Sequence, residues 1–155
     1  MDEKKFFSLL RQFNELKKNK NPKTSILIDL IDGRIPSFDP EASDMLFDSM
    51  NTIRNNFHFS ERQEYIDLAK DFLADQITAD DFSYSFIGIY DGIEQKVAQM
   101  EKDESLELTN FLKTSQFELN DLLSQIYSTC DFFGHVIFDE KELKDCAQIL
   151  LLKLQ

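Results

Sequence analysis

Apolar residues recur along this chain at spacings of three and four, and each run of them lines one face of a helix. Phe6, Leu9, Leu10, Phe13 and Leu16 predict a helix over roughly residues 3–19. Lys17, Lys18 and Lys20 follow at its end, where cations complement the helix dipole, and Asn21-Pro22 stops it. Thr24–Ile31 predicts a further short helix before a turn at Asp32-Gly33. Asp39-Pro40-Glu41 is a helix start: an aspartate to cap free amides, a proline for the first turn and an acid at the positive dipole end. Met45, Leu46, Met50, Ile53 and Phe57 carry that helix to about residue 57. Ser60, with Gln63 three residues on, predicts the cap of the next helix, whose apolar face is Tyr65, Ile66, Ala69, Phe72 and Leu73.

Thr78 and Asp81 form another cap pair, followed by Phe82, Phe86, Ile89, Ile93 and Val97. Gly88 and Gly92, four apart in this stretch, predict close packing against a neighbouring helix; no lysine or strand accompanies them, so they are not a phosphate loop. Residues 98–104 are polar and read as a loop. Leu108, Phe111, Leu112, Leu119, Leu122, Leu123, Ile126, Cys130 and Phe133 fit one long helix ended by Gly134. They also fit a break at Lys113–Gln116, because Ser115 and Glu118 have capping-box spacing. Asp139 and Glu142 cap a last helix that carries Leu143, Ala147, Leu150, Leu151 and Leu154. His135 to Phe138 is the one β-like run and is too short to pair alone. The expected fold class is all-α.

Composition supports this reading. The 155 residues include 4 Gly and 3 Pro, too few turn formers for many short elements, and 15 Phe with no Trp. At 42% hydrophobic the chain can bury a core without staples. The opening stretch lacks the continuous apolar run of a signal peptide, and nothing approaches a membrane span of about 20 apolar residues. The expectation is a cytosolic protein with Cys130 and Cys146 reduced. Cys130 sits on an apolar face and reads as a buried inert thiol. Cys146 stands beside Asp145, whose charge does not favour a thiolate.

The net charge of −12 is unevenly placed. Residues 1–57 carry 9 acidic and 9 basic side chains, whereas residues 58–155 carry 20 acidic and 8 basic. Such a surface repels nucleic acid and anionic membrane and attracts a basic protein. Catalytic clusters are not apparent. The two histidines, His58 at a helix junction and His135 in a loop, lack metal-ligand spacing and read as surface or interface residues, and no Glu-x-x-His pair of a di-metal bundle occurs. No cofactor is called for. With Leu119, Leu122, Leu123, Ile126 and Cys130 turned inward, helical geometry turns Asp121, Ser124, Ser128 and Asp131 outward. Phe117 also faces outward unless the helix breaks before it.

The segment from Tyr65 to Ser83, YIDLAKDFLADQITADDFS, resembles the opening of the colicin D immunity proteins. In that family a helix reading IDLAKxFLA is followed by xxITAxxFS, and every fixed position is met between Ile66 and Ser83. Glu142-Leu143-Lys144-Asp145, with its apolar run to Leu154, is similar to the family's last helix. The resemblance implies an antiparallel four-helix bundle (61–75, 78–97, 105–133 and 139–155) within a unit spanning 59–155, preceded by a helical extension over 1–58. It also implies a function, namely immunity to a bacterial toxin by covering the basic active site of its tRNA-cleaving nuclease domain with carboxylates that stand in for RNA phosphates. Asp131 matches the first of the family's important acids by position, ahead of Phe133. The loop after it is shorter here, which leaves Asp139 and Glu140 as the nearest later candidates. The expected partner-binding set is therefore Asp131, Asp139, Glu140, Asp121 and Glu118, without catalytic residues, metal, nucleic acid or membrane. The competing expectation is a helical adaptor with no toxin partner. An enzyme ranks third.

Overall fold

A computed structural model describes residues 2–18, 39–100, 119–133 and 139–155. Its elements are α1 (Glu3–Lys18), α2 (Pro40–Ser60), α3 (Arg62–Leu73), α4 (Ala79–Met100), α5 (Leu119–Asp131) and α6 (Glu140–Leu154). There is no strand among the described residues, so the protein is all-α. The short helix expected at Thr24–Ile31, the 105–118 part of the long helix with Phe117 and the Ser115/Glu118 pair, the stop at Gly134, His135 and the run to Phe138 all lie outside the described residues.

Local chemistry fixes most helix starts. The Asp39 carboxylate accepts from Ala42 N–H at 2.9 Å with Pro40 just inside α2. Thr78 and Asp81 cap each other reciprocally at the start of α4: Asp81 N–H donates to Thr78 Oγ1 at 3.1 Å and Thr78 N–H to Asp81 Oδ2 at 3.2 Å. Asp139 and Glu142 form a complete capping box on α6. Each is an i, i+3 arrangement, readable from a few consecutive residues.

The expected cap at Ser60 is not formed. α2 runs on through Ser60, whose hydroxyl donates back to the Phe57 carbonyl at 2.7 Å, and the N-cap of α3 is Glu61, with no side-chain cap bond. Gln63 bonds Asp67 instead. One residue separates the two helices, so Ser60 is still inside the turn it was expected to leave. α2 is thus continuous across residue 58, where the expected boundary lay. α4 likewise extends to Met100, past the loop expected from residue 98. α3 ends where Asp75 takes a left-handed backbone (φ 55°), with Gln76 N–H bonded to the Asp71 carbonyl at 2.9 Å and Asp75 N–H to that of Phe72 at 3.1 Å. This closes the orphan carbonyls of the last turn.

Two apolar clusters organise the packing. Tyr65, Phe72, Phe82, Phe86, Leu123 and Leu150, with their neighbours, form the core shared by α3, α4, α5 and α6. Phe6, Leu10 and Phe13 of α1 meet Leu46, Met50 and Ile53 of α2 and Val97 of α4 in the second. Phe57 touches both. α3 lies along α6, α4 along α5, and α2 packs against the later turns of α4 and the start of α5.

The close approach expected at Gly88 and Gly92 is absent: among the described residues, a Cβ built on either would meet nothing within 4 Å. Without a packing reason, Gly only loosens the helix. Gly88→Ala is expected to stabilise the fold by about 0.5–1 kcal/mol, seen as a melting temperature raised by roughly 1–4 °C. A lower melting temperature would show that this face is occupied in the folded protein.

Candidate functional site

The charge excess is not spread evenly over the helices. α4 and α5 carry six carboxylates, at Asp80, Asp81, Asp91, Glu94, Asp121 and Asp131, against one cation, Lys96. That lysine is already tied to Glu61 of the α2–α3 junction at 2.9 Å. α3 and α6 instead mix five cations with six acids, and Lys144 of α6 bonds both Asp75 at 2.6 Å and Glu140 at 3.3 Å. Among the described helices the excess of acids over cations is therefore largest on the α4–α5 pair.

α4 and α5 run in opposite senses, because Ser83 faces Cys130 while Tyr90, two turns on, reaches Ser124 at 3.1 Å and Asn120 at 3.4 Å. This pairing brings the start of α4 beside the end of α5. Between them lies an open cleft of about 460 Å³ lined by Asp80, Asp81, Ser83, Tyr84, Cys130, Asp131 and Phe133, among others. Tyr84 is 84% exposed and Phe132, next to Asp131, is 47% exposed. Exposed rings beside carboxylates are the kind of side chain that anchors a binding interface once covered. The Asp81 carboxyl is held below the usual range by hydrogen bonds from the Thr78 side chain and backbone. Further along, the Tyr127 hydroxyl is raised first by desolvation, then by the charges of Asp91 and Asp131 and a hydrogen bond to Asp91. Among the described residues, nothing in the cleft is arranged as an acid–base pair.

Of the expected partner-binding residues, the structure brings one, Asp131, to the cleft. Asp121 is exposed in the first turn of α5, about 15 Å away along that helix. Asp139 and Glu140 open α6, where Asp139 is engaged in the capping box and Glu140 pairs with Lys144. Glu118 lies outside the described residues. Ser124, expected to point outward with Asp121, Ser128 and Asp131, is half-buried because its hydroxyl meets Tyr90. Asp80, Asp81, Ser83 and Tyr84 were missed. The signal for Tyr84 was present: it is an aromatic that falls off the apolar stripe of Phe82, Phe86 and Ile93.

A second polar group is internal. His58, expected at the surface or an interface, is 0% exposed. It lies where the last turn of α2 meets α3 and α4. Its Nδ1 is 3.0 Å from the Tyr65 hydroxyl, its Nε2 is 3.4 Å from Glu94 Oε1, and Tyr90 stacks on its ring at 4.9 Å. The tautomer that suits both polar neighbours carries the proton on Nε2, so that Nδ1 accepts from Tyr65. Burial raises the Tyr65 hydroxyl well above its ordinary value, aided by Tyr90 and Glu94, and it remains a donor. Arg54 Nε donates to the other Glu94 oxygen at 2.9 Å. Burial alone would raise the Glu94 carboxyl, but the adjacent His58 ring and the Arg54 guanidinium outweigh it and hold the pKa below the ordinary value. With no water reaching the imidazole, this group is suited to joining helices; acid–base catalysis needs a reachable substrate proton.

Both cysteines are free. Burial pushes the Cys130 thiol up to about 12, with a small opposing effect from the Ser83 hydroxyl. Cys146 is also raised, by burial first and by Asp145 and Glu142, against a hydrogen bond from Thr129. Neither is a ready nucleophile. Among the described residues no group of three His, Cys, Asp or Glu side chains could hold a metal, and no helix is long and apolar enough to cross a membrane. No protein-family model, curated protein or solved structure matches the chain.

Proposed function

We propose that this protein is a binding inhibitor that docks a basic protein surface onto its α4–α5 face. The observation that carries the reading is the imbalance of that helix pair: six carboxylates, of which Glu94 alone is turned inward to Arg54 and His58, against one already paired cation, with exposed rings beside the outward acids. A positively charged cleft built for RNA phosphates is the kind of surface such a face complements. The resemblance of Tyr65–Ser83 to the colicin D immunity proteins narrows the partner to the nuclease domain of a tRNA-cleaving bacterial toxin. It narrows the architecture to an antiparallel bundle of α3 to α6. The mechanism is occlusion without turnover. The carboxylates capture the toxin over a distance, and the α4–α5 face then covers the site the RNA would enter.

The full chain, mixed with the product of the neighbouring reading frame, is expected to bind it and to block tRNA cleavage by it at stoichiometric ratio. Raising salt from about 50 to 300 mM should weaken the complex by tenfold or more, since association is driven by opposite charges across the interface. An affinity indifferent to salt, or cleavage that continues in excess inhibitor, would refute the proposal.

A further inference from the structure

Three residues within two turns of α2 each bond a different helix beside it. Arg54 Nε donates to Glu94 of α4 at 2.9 Å, Asn55 Oδ1 accepts from the Asn120 backbone N–H of α5 at 2.7 Å, and His58 Nδ1 meets the Tyr65 hydroxyl of α3 at 3.0 Å. The bond from Asn55 is a helix cap supplied by another helix. An amide in the first turn of α5 has no partner in its own helix, and the oxygen that meets it comes from α2. Asn120 is held a second time, through its side chain, which accepts from the Tyr90 hydroxyl of α4 at 3.4 Å. Tyr90 stacks on His58 of α2 at 4.9 Å and lies 4.9 Å from the Tyr127 ring of α5. The Tyr127 hydroxyl bonds Asp91 on the acidic face. Two routes thus run from α2 to the pairing of α4 with α5, one through Asn55 and one through the rings of His58, Tyr90 and Tyr127.

We infer that Asn55 is a positioning residue of the acidic face: through it α2 sets the register and tilt of α5 against α4, so that the recognition unit begins at α2 and not at α3. The apolar stripe of α5, made by Leu119, Leu123, Ile126 and Cys130, turns that helix the right way round. Apolar contact is non-directional, however, and tolerates a slide. A hydrogen bond to a main-chain amide does not, because it weakens steeply with distance and angle. The place of α5 decides the pattern of the face, since Asp121 and Asp131 ride on α5 while Asp80, Asp81 and Asp91 ride on α4. A slip of one residue carries a helix about 1.5 Å along its axis with a turn of about 100°. The same carboxylates would remain, in a pattern that no longer fits the same partner. The bearing on docking rests on the α4–α5 face being the docking face; the placing of α5 is tested without any partner.

The test compares two full-chain variants, with melting curves confirming that both are folded. Asn55→Leu keeps the size of the side chain and removes its oxygen. Asn55→Asp keeps an acceptor and suits a helix N-terminus. In Asn55→Leu the Asn120 amide is expected to exchange with solvent roughly fivefold faster. Residual dipolar couplings should show α5 turned relative to α4, while α3 and α6 keep their mutual orientation. Asn55→Asp should restore both readings. Against the product of the neighbouring reading frame, Asn55→Leu is expected to associate at the wild-type rate, because its charges are unchanged, and to dissociate roughly fivefold faster or more. Simple loss of stability would lower the amount bound and leave the dissociation rate alone. An Asn120 amide that exchanges at the wild-type rate in Asn55→Leu, an unmoved α5, or a folded Asn55→Asp that restores neither reading would each overturn the inference. A moved α5 with an unchanged dissociation rate would overturn its bearing on docking. If the wild type binds no such product, the proposed function fails, and the helix orientations alone decide whether α2 places α5.

Discussion

Phe82→Ala is expected to remove about 3–5 kcal/mol of folding stability, lowering the melting temperature by roughly 6–20 °C. Phe82 is fully buried, stacks on Phe72 with ring centres 4.6 Å apart and touches Phe86 at 6.2 Å. It is thus a ring enclosed by rings, where α3 packs against the start of α4. Stiff aromatic neighbours collapse poorly into the space left by a benzyl group, so most of the cavity cost persists. Urea titration should show a lower midpoint with an unchanged slope, because the native state still exposes the same surface on unfolding. Phe82→Leu should lose much less. A cost under about 1 kcal/mol for the alanine variant would mean that this core is loosely packed.

Glu94→Ala is expected to cost about 2–4 kcal/mol, because it leaves two largely buried groups, Arg54 and His58, facing a space without their carboxylate. The cost falls at or under the low end of the usual range of about 3–5 kcal/mol for breaking a buried pair, since the Glu94 side chain keeps 27% of its exposure. Its pH dependence follows from the direction of its shift. A carboxyl whose folded pKa lies below the ordinary 4.5 contributes stability that is fully present above that value. The contribution is lost as pH falls through the folded value. The gap in urea midpoint between the wild type and Glu94→Gln should therefore be widest near neutrality and narrow progressively once pH drops under about 4.5. A gap that stays constant down to strongly acid pH would show that charge at Glu94 does nothing for the fold.

What was legible in the sequence was what depends on near neighbours. Asp39, the Thr78/Asp81 pair and the Asp139/Glu142 pair each act within three residues, and their caps form as read. The apolar faces were legible for the same reason: Phe6, Leu10 and Phe13, or Leu143, Ala147 and Leu150, need only helical spacing to declare their side. Ser60 misled because its hydroxyl has a competing local acceptor in the Phe57 carbonyl. The glycines misled because spacing alone says nothing of what stands opposite. The His58–Glu94–Arg54 junction was illegible. Arg54 and Glu94 are 40 positions apart, and no periodicity links them. Asp131 could be read as an outward acid, but its neighbours in the cleft come from α4. Only the antiparallel pairing of the two helices places Tyr84 and Ser83 beside it.

The first turn of α5 leans on a side chain from far upstream: Asn55 Oδ1 of α2 accepts from the Asn120 backbone N–H at 2.7 Å. An amide in a helix's first turn has no partner within its own helix, and here the partner is 65 residues earlier in the chain. On a ribosome the N-terminal part emerges first, so the acceptor is already made when α5 is still being synthesised. The acidic face that ends at Asp131 is thus completed on a foundation older than itself. A damaged α2 would reach the α4–α5 face through the order in which the molecule is built, without touching any residue of the cleft at its far end.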